Sequence, residues 1–166
     1  MVRYTRQHDE YTCGPIAILN ALKWAGKNVS LKNLKYLKRI TKCQCDSDPQ
    51  CSGMADKDMN LGLKRVGKGI FRTNRIRAGI KDIEKHLKNR GAVLANLEGI
   101  FDRKNIITGH YVLVVGVSNS GKTFKVVNFT YGETIESIRR NTLTKYRRSR
   151  FRFARPLLMA WFLIQI

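Results

Sequence analysis

The sequence predicts an α+β fold, with helices in the first half of the chain and an antiparallel sheet in the second. Apolar residues recur at helical spacing up to about residue 90, and short runs rich in valine, leucine and aromatic residues follow from residue 92 onwards. Segregated helices and strands are typical of α+β proteins, whereas α/β proteins alternate them. The length of 166 residues suits one domain with a substantial core, so we predict a single domain over residues 1–166.

The first helix is predicted over residues 14–25, where almost every position is apolar. Pro15 suits the first turn of a helix, and Gly26 marks its end. A helix with almost no polar face is buried on most sides, so its start lies in the interior. Ser30 is the predicted cap of a second helix, whose apolar stripe would consist of Leu31, Leu34, Leu37 and Ile40.

Two more helices and four strands complete the prediction. A third helix is expected at about 55–66 and a fourth at about 79–90, with a short extended piece, GIFRTN, between them. Strands are predicted in AVLANLE, HYVLVVGV, TFKVVNF and the closing run MAWFLIQI. The second and third of these flank SNSG, a turn signal, and should form a hairpin centred near residue 119 or 120.

Cys13 lies directly before the apolar run and is therefore predicted at the start of the buried helix. The unpaired amides and the dipole of a helix N-terminus favour a thiolate, which is the nucleophilic form of cysteine. The alternative is that Cys13 is only a small buried apolar residue.

A catalytic cysteine needs a base, and His110 is the best of the three histidines. It opens an apolar strand directly after Gly109, whereas His86 lies on a charged helix face and His8 would have to fold back over Cys13. The predicted hairpin brings Asn128 to within a residue or two of the position opposite His110. The Asn128 side chain is then the expected hydrogen-bond acceptor that orients the imidazole.

Three blocks, QHDEYTCGPIAILNAL, GHYVLVVGV and VVNF, resemble papain-like cysteine peptidases of the bacteriocin-processing, double-glycine leader type. SGMADKDMNLGLKRVG also resembles the helix that such domains carry between their Cys and His blocks. The resemblance implies a papain-like fold and hydrolysis of a peptide or protein substrate through Cys13, His110 and Asn128. It also implies that the Gln7 side chain joins the main-chain N–H of Cys13 in the oxyanion hole.

The third triad position differs from the pattern usual in this group. There the residue is Asp followed by Pro, whereas this chain has Asn128 followed by Phe129. Asparagine is the residue that papain uses, and it stabilises an imidazolium less than a carboxylate would. Deamidation and acyl transfer can use the same kind of site and remain alternatives to peptide hydrolysis.

Two further motifs are interpreted as structural. GVSNSGKT at 116–123 matches the phosphate-loop pattern, but a strand follows it in place of the helix whose amides would hold phosphate. Cys43, Cys45 and Cys51 cluster in one loop without a fourth ligand for zinc. We expect free thiols there, with a disulfide as the second possibility, and we expect neither a metal nor another cofactor.

The formal charge of +20 is the unusual feature of the composition, with 32 Lys and Arg against 12 Asp and Glu. No acid occurs in residues 11–45 or 137–166, so two basic surfaces are predicted. The stretch 139–155 has eight basic residues, and its arginines are candidates for binding DNA, RNA or an acidic protein: Arg139, Arg140, Arg147, Arg148, Arg150 and Arg152. The rival interpretation is a basic nucleic-acid-binding protein on a catalytically degenerate peptidase fold.

The N-terminus, MVRYTRQHDE, lacks the apolar core of a secretory signal, so an intracellular location is expected. The longest apolar run, PLLMAWFLIQI, is about half of the roughly 20 residues that span a bilayer. No transmembrane segment is therefore predicted, and this run is interpreted as a core strand.

Overall fold

Five helices and six strands make up the part of the chain that the computed structural model describes, which is residues 2–9, 11–41, 43, 56–76, 80–100, 107–130, 133–145 and 161–165. The helices are α1 (Cys13–Trp24), α2 (Leu34–Ile40), α3 (Asp56–Gly67), α4 (Ile80–Lys88) and α5 (Arg140–Lys145). The strands are β1 (Arg72–Ile76), β2 (Ala92–Ile100), β3 (Ile107–Val117), β4 (Thr123–Val127), β5 (Ile135–Arg139) and β6 (Trp161–Gln165). The predicted α+β class is confirmed.

The strands form one sheet in the order β1-β6-β2-β3-β4-β5, and every pair of neighbours is antiparallel. The closing apolar run therefore contributes a central strand, because β6 lies between β1 and β2. No helix in the described ranges is long and apolar enough to cross a membrane.

Helices cover both faces of the sheet. Ala92 and Leu94 of β2 pack with α1, α2 and α3, while Val93 packs on the other face with Ile83 and Leu87 of α4. This follows from the strand period of two, which sends successive side chains to opposite faces. The apolar character of almost all of α1 is explained by its position, since ten of its residues, from Cys13 to Leu22, are buried.

The second helix begins differently from the prediction. Residues 31–33 form a 3₁₀ turn, and Leu31 is 53% exposed, so it does not belong to the predicted apolar stripe. Side chains at i and i+3 align in a 3₁₀ turn as well, so the exposure of Leu31 comes from its place as the first residue of the segment and not from a change of helical phase. The Ser30 cap is confirmed: its Oγ accepts from the main-chain N–H of Lys32 at 3.3 Å.

The hairpin of β3 and β4 is confirmed, and it explains the phosphate-loop match. Leu113 pairs with Val127 and Val117 with Phe124, so the turn between them is centred close to residue 120. Gly121 has a φ of 67°, and Lys122 is exposed in the turn. Because β4 follows directly, no helix N-terminus exists there to bind phosphate. The sequence did not predict β5 or α5, which follow this hairpin.

Candidate active site

Cys13 is the first residue of α1 and is only 6% exposed. The pKa of its thiol is raised to about 11, mainly by burial, with smaller contributions from the nearby Cys43 and from Asp9. The main-chain N–H groups of Tyr111 and Gly14 interact with the sulfur and offset part of this rise. The expected lowering of the pKa by the helix terminus is therefore wrong, because desolvation outweighs the amides at this depth.

The loop before Cys13 is held by Asp9. Its Oδ1 accepts from the main-chain N–H of Tyr11 at 2.9 Å and of Thr12 at 2.7 Å, and both carboxylate oxygens accept from the Thr12 hydroxyl at 2.8 Å. These are the amides that lead into α1, so Asp9 fixes the approach of the chain to Cys13. Sequence reasoning missed this residue. The signal was an acid shortly before an apolar run, which is typical of helix starts.

His110 is buried in β3, next to Tyr111, which shares a buried cluster with Cys13. Its Nε2 lies 2.7 Å from the main-chain oxygen of Asn128. A carbonyl oxygen can only accept, so Nε2 carries the proton and Nδ1 is the basic nitrogen of the neutral ring. Burial lowers the pKa of His110, against an opposing effect of the hydrogen bond to Asn128. Burial therefore favours the neutral form of both the His110 imidazole and the Cys13 thiol.

Asn128 lies next to His110 as predicted, but the atom that accepts is its main-chain oxygen and not its side chain. The side chain points elsewhere: Nδ2 donates to Thr5 O at 2.9 Å, and Oδ1 accepts from Gln7 N at 3.3 Å. Asn128 has a φ of 56°, a left-handed conformation that asparagine tolerates better than most residues. The sequence predicted the neighbour but not this turn of the backbone at the end of β4.

Gln7 is 2% exposed, although it lies in an irregular segment. Its Nε2 donates to the main-chain oxygen of Asp9, and its Oε1 accepts no hydrogen bond from the described residues. A buried glutamine side chain so near the Cys13 loop fits the predicted oxyanion donor. The segment is anchored by Asn20 of α1, whose Oδ1 accepts from Thr5 N at 2.7 Å and whose Nδ2 donates to Thr5 O at 2.9 Å.

Of the other candidates, Cys43 lies close to the Cys13 loop, whereas His86 is held elsewhere. His8 is exposed, and His86 is half-buried, with Nε2 3.1 Å from the main-chain oxygen of Ile164, rather than on an open surface as expected. Cys43 is a buried thiol that donates to Tyr11 O at 3.3 Å, whereas Cys45 and Cys51 lie outside the described residues. Among the residues that are described, no three His, Cys, Asp or Glu side chains could together hold a metal ion.

Two of the six candidate arginines are described. Arg139 is exposed at the end of β5, and Arg140 begins α5, whereas Arg147, Arg148, Arg150 and Arg152 lie outside the described residues. Arg140 lines a cavity of about 480 Å³ on the outer side of α4, together with Lys81, Glu84, Lys85, Lys88 and Asn89. Glu84 is bridged by Lys88 at 2.9 Å and by Arg140 at 3.1 Å. Three cationic residues of this cavity, Lys81, Lys85 and Lys88, lie outside the two basic regions that the sequence predicted, and only Arg140 belongs to one of them.

Comparisons with known proteins agree with this arrangement. The model of one family, described as the Peptidase_C39 like family, matches residues 1–152. The crystal structure of the peptidase domain of Streptococcus ComA, a bi-functional ABC transporter involved in a quorum-sensing pathway, superposes with a TM-score of 0.66 at 17% identity, covering 98% of each chain. No curated protein matches the sequence. The predicted papain-like fold is confirmed by the likeness to this domain.

Proposed function

The chain belongs to the Peptidase_C39 like family, a family of cysteine peptidases, and from this membership we propose that it hydrolyses peptide bonds with Cys13 as the nucleophile. His110 is the general base and acid, and the Gln7 side chain and Cys13 N–H stabilise the oxyanion. The supporting observation is that Cys13, at the start of α1, and Tyr111, the residue after His110, belong to one buried cluster. Helix α1 and strand β3, which carry the proposed nucleophile and base, therefore pack against each other.

The thiol is activated when substrate binds and not before. Both groups are buried, so the neutral thiol and neutral imidazole are the resting pair. As Sγ attacks the substrate carbonyl carbon, the thiol proton passes to Nδ1 of His110. The Asn128 main-chain oxygen, 2.7 Å from Nε2, keeps the ring oriented and stabilises the imidazolium that forms.

The carbonyl oxygen becomes an oxyanion in this step. The Gln7 amide nitrogen has two hydrogens, of which one is donated to Asp9 O, so the second is available to the oxyanion. Collapse of the tetrahedral intermediate breaks the C–N bond, and the imidazolium gives its proton to the leaving amine. Water, deprotonated by His110, then hydrolyses the thioester and regenerates the thiol.

Incubation with a peptide library that includes Gly-Gly sites, followed by mass spectrometry, tests this reaction. Hydrolysis splits a peptide into two products whose masses sum to the substrate plus one water. Deamidation would leave one product of nearly unchanged mass, and acyl transfer would join the acyl part to an added amine. Deamidated or acyl-transfer products without cleaved peptides would contradict the proposed hydrolysis.

We also propose that the basic cavity on α4 binds the phosphate backbone of nucleic acid. Lys81, Lys85, Lys88 and Arg140 line it against the single carboxylate of Glu84, so the lining carries a net charge of about +3. A concave surface admits a phosphate chain more readily than a flat membrane. Since the lining residues offer charge but no base-reading pattern, binding should have little sequence preference.

A salt titration of binding to a DNA duplex tests this second proposal. Each phosphate contact adds about 0.9 to the slope of log affinity against log salt. Replacing Lys81 and Lys85 by Gln should lower the slope by nearly two, whereas Lys35→Gln on the exposed side of α2 should leave it nearly unchanged. Undetectable binding at low salt, or equal slopes for both variants, would contradict the proposal.

A further inference from the structure

Asn20 is the polar exception in the buried helix α1. Its side chain is fully buried, while its neighbours along the helix are mostly apolar. Burying an amide is costly unless its donor and acceptor are satisfied, and leucine of similar size would avoid this cost. The donor and the acceptor of the Asn20 amide both bind one residue, since Oδ1 accepts from Thr5 N and Nδ2 donates to Thr5 O. The helix therefore uses a buried polar residue to fix the segment that carries Gln7.

Asn128 fixes the same segment from the sheet. Its Nδ2 donates to Thr5 O at 2.9 Å, so this oxygen accepts from both asparagines, and its Oδ1 accepts from Gln7 N at 3.3 Å. Its main-chain oxygen contacts His110. Thr5 and Gln7 are thus tied both to the helix that begins at Cys13 and to the residue that orients the base.

Lys23 adds a third attachment on the same face of α1, three residues after Asn20. Its Nζ donates to Thr5 Oγ1 at 2.7 Å and to Arg3 O at 3.0 Å. An α-helix is stiff over this length. Asn20 lies seven residues after Cys13, which corresponds to about 10 Å along the helix axis. A segment attached to Asn20 and Lys23 is therefore held at a fixed position relative to the Cys13 sulfur.

We propose that Asn20 is a positioning residue for catalysis, which sets the place of the Gln7 oxyanion donor through the Thr5 peptide. The inference rests on the proposed peptidase function and adds a residue to it. Asn20 takes no part in the proposed bond-making steps, and we expect its effect to pass through the Thr5–Gln7 segment rather than through Asn128, which the experiment below tests. Displacing a catalytic group by about 1 Å can cost about a hundredfold in rate, which is large enough to measure.

A double-mutant cycle of Asn20→Leu and Gln7→Ala tests the inference. Gln7→Ala should lower kcat by about a hundredfold, as the loss of an oxyanion donor does. Asn20→Leu should lower kcat by at least about tenfold with little change in KM, and it should lower kcat by less than about twofold in the Gln7→Ala background. The pH profile of Cys13 alkylation should stay that of the wild type, because thiolate formation does not use Gln7.

Thr41→Val is the matched control, because it also removes a buried side-chain hydrogen bond, from Oγ1 to Leu37 O, away from Thr5. Its kcat should stay near that of the wild type. If hydrogen exchange shows that Asn20→Leu does not fold, Lys23→Met loosens the same segment and takes its place in the cycle. Two results would overturn the inference while the wild type still cleaves peptides. One is that the losses of kcat in the two single variants multiply in the double variant, and the other is that Asn20→Leu leaves kcat unchanged. A wild type that cleaves no peptide would overturn the proposed function and, with it, this inference.

Discussion

The resting state of Cys13 provides the sharpest quantitative prediction. Burial moves the pKa of the thiol from its ordinary value of 9.0 to about 11, so the thiolate fraction at pH 7.5 falls about a hundredfold. Alkylation requires the thiolate. Without substrate, iodoacetamide should therefore modify Cys13 about a hundred times more slowly than it modifies a small-molecule thiol with the ordinary pKa. The rate should rise about tenfold for each pH unit up to about pH 10.

The assay follows the Cys13 peptide by mass spectrometry after timed alkylation between pH 5 and pH 11, which separates it from the other three cysteines. His110→Ala should leave this profile unchanged, because a neutral imidazole contributes no charge to the resting thiol. The reasoning is refuted by a plateau of fast alkylation below pH 7 that His110→Ala removes. That result would mean that a thiolate and an imidazolium are already paired before substrate binds.

Substitutions at four other positions test the geometry. Asn128→Gly and Asn128→Ala should both retain measurable hydrolysis, reduced about tenfold, because the atom that accepts from the imidazole is a main-chain oxygen. The Ala variant should also be about 1 kcal/mol less stable than the Gly variant, because residue 128 has a positive φ. Loss of all activity in Asn128→Gly would point to the side chain instead. Lys122→Ala should change neither the thermal unfolding temperature nor the rate of hydrolysis. If the wild type bound ATP with magnesium and this substitution removed the binding, the interpretation of residues 116–123 as a structural turn would be wrong. Gly91→Ala should cost about 1–3 kcal/mol in thermal unfolding, because its Cβ would lie 2.2 Å from His86 Nε2, whereas Gly116→Ala makes only ordinary contacts.

The sequence predicted most of the fold because its apolar patterns are strong. The buried run after Cys13, the Ser30 cap and the SNSG turn each specify local structure without tertiary help. The prediction for Leu31 was wrong because helical spacing does not show whether another element covers the first turn, where Leu31 is 53% exposed. Strand β5 is short and mostly exposed, so it has no apolar period that a sequence could show.

The sequence nominated residues for the candidate site, whose catalytic roles stay predictions, but it did not indicate how their atoms are arranged. Cys13, His110 and Asn128 could be chosen because each lies at a recognisable position in the sequence. Cys13 directly precedes a buried helix, His110 opens an apolar strand, and Asn128 lies near the end of the strand that pairs with it. The protonation states and the atom that orients the imidazole depend on burial depth and on the left-handed turn at Asn128, which only the folded chain defines. In the sequence, Asn20 is recognisable only as a polar residue inside an apolar helix. Its partner Thr5 lies fifteen residues away, so the sequence does not indicate this hydrogen bond.

The central claim is that Cys13 carries out peptide hydrolysis, and comparing the wild type with Cys13→Ala on the same peptide library tests it most directly. Thermal unfolding should confirm that both proteins are folded. The account predicts cleavage products that accumulate with the wild type and none above background with Cys13→Ala. Equal product formation by the two proteins, or no cleavage by the folded wild type, would contradict it.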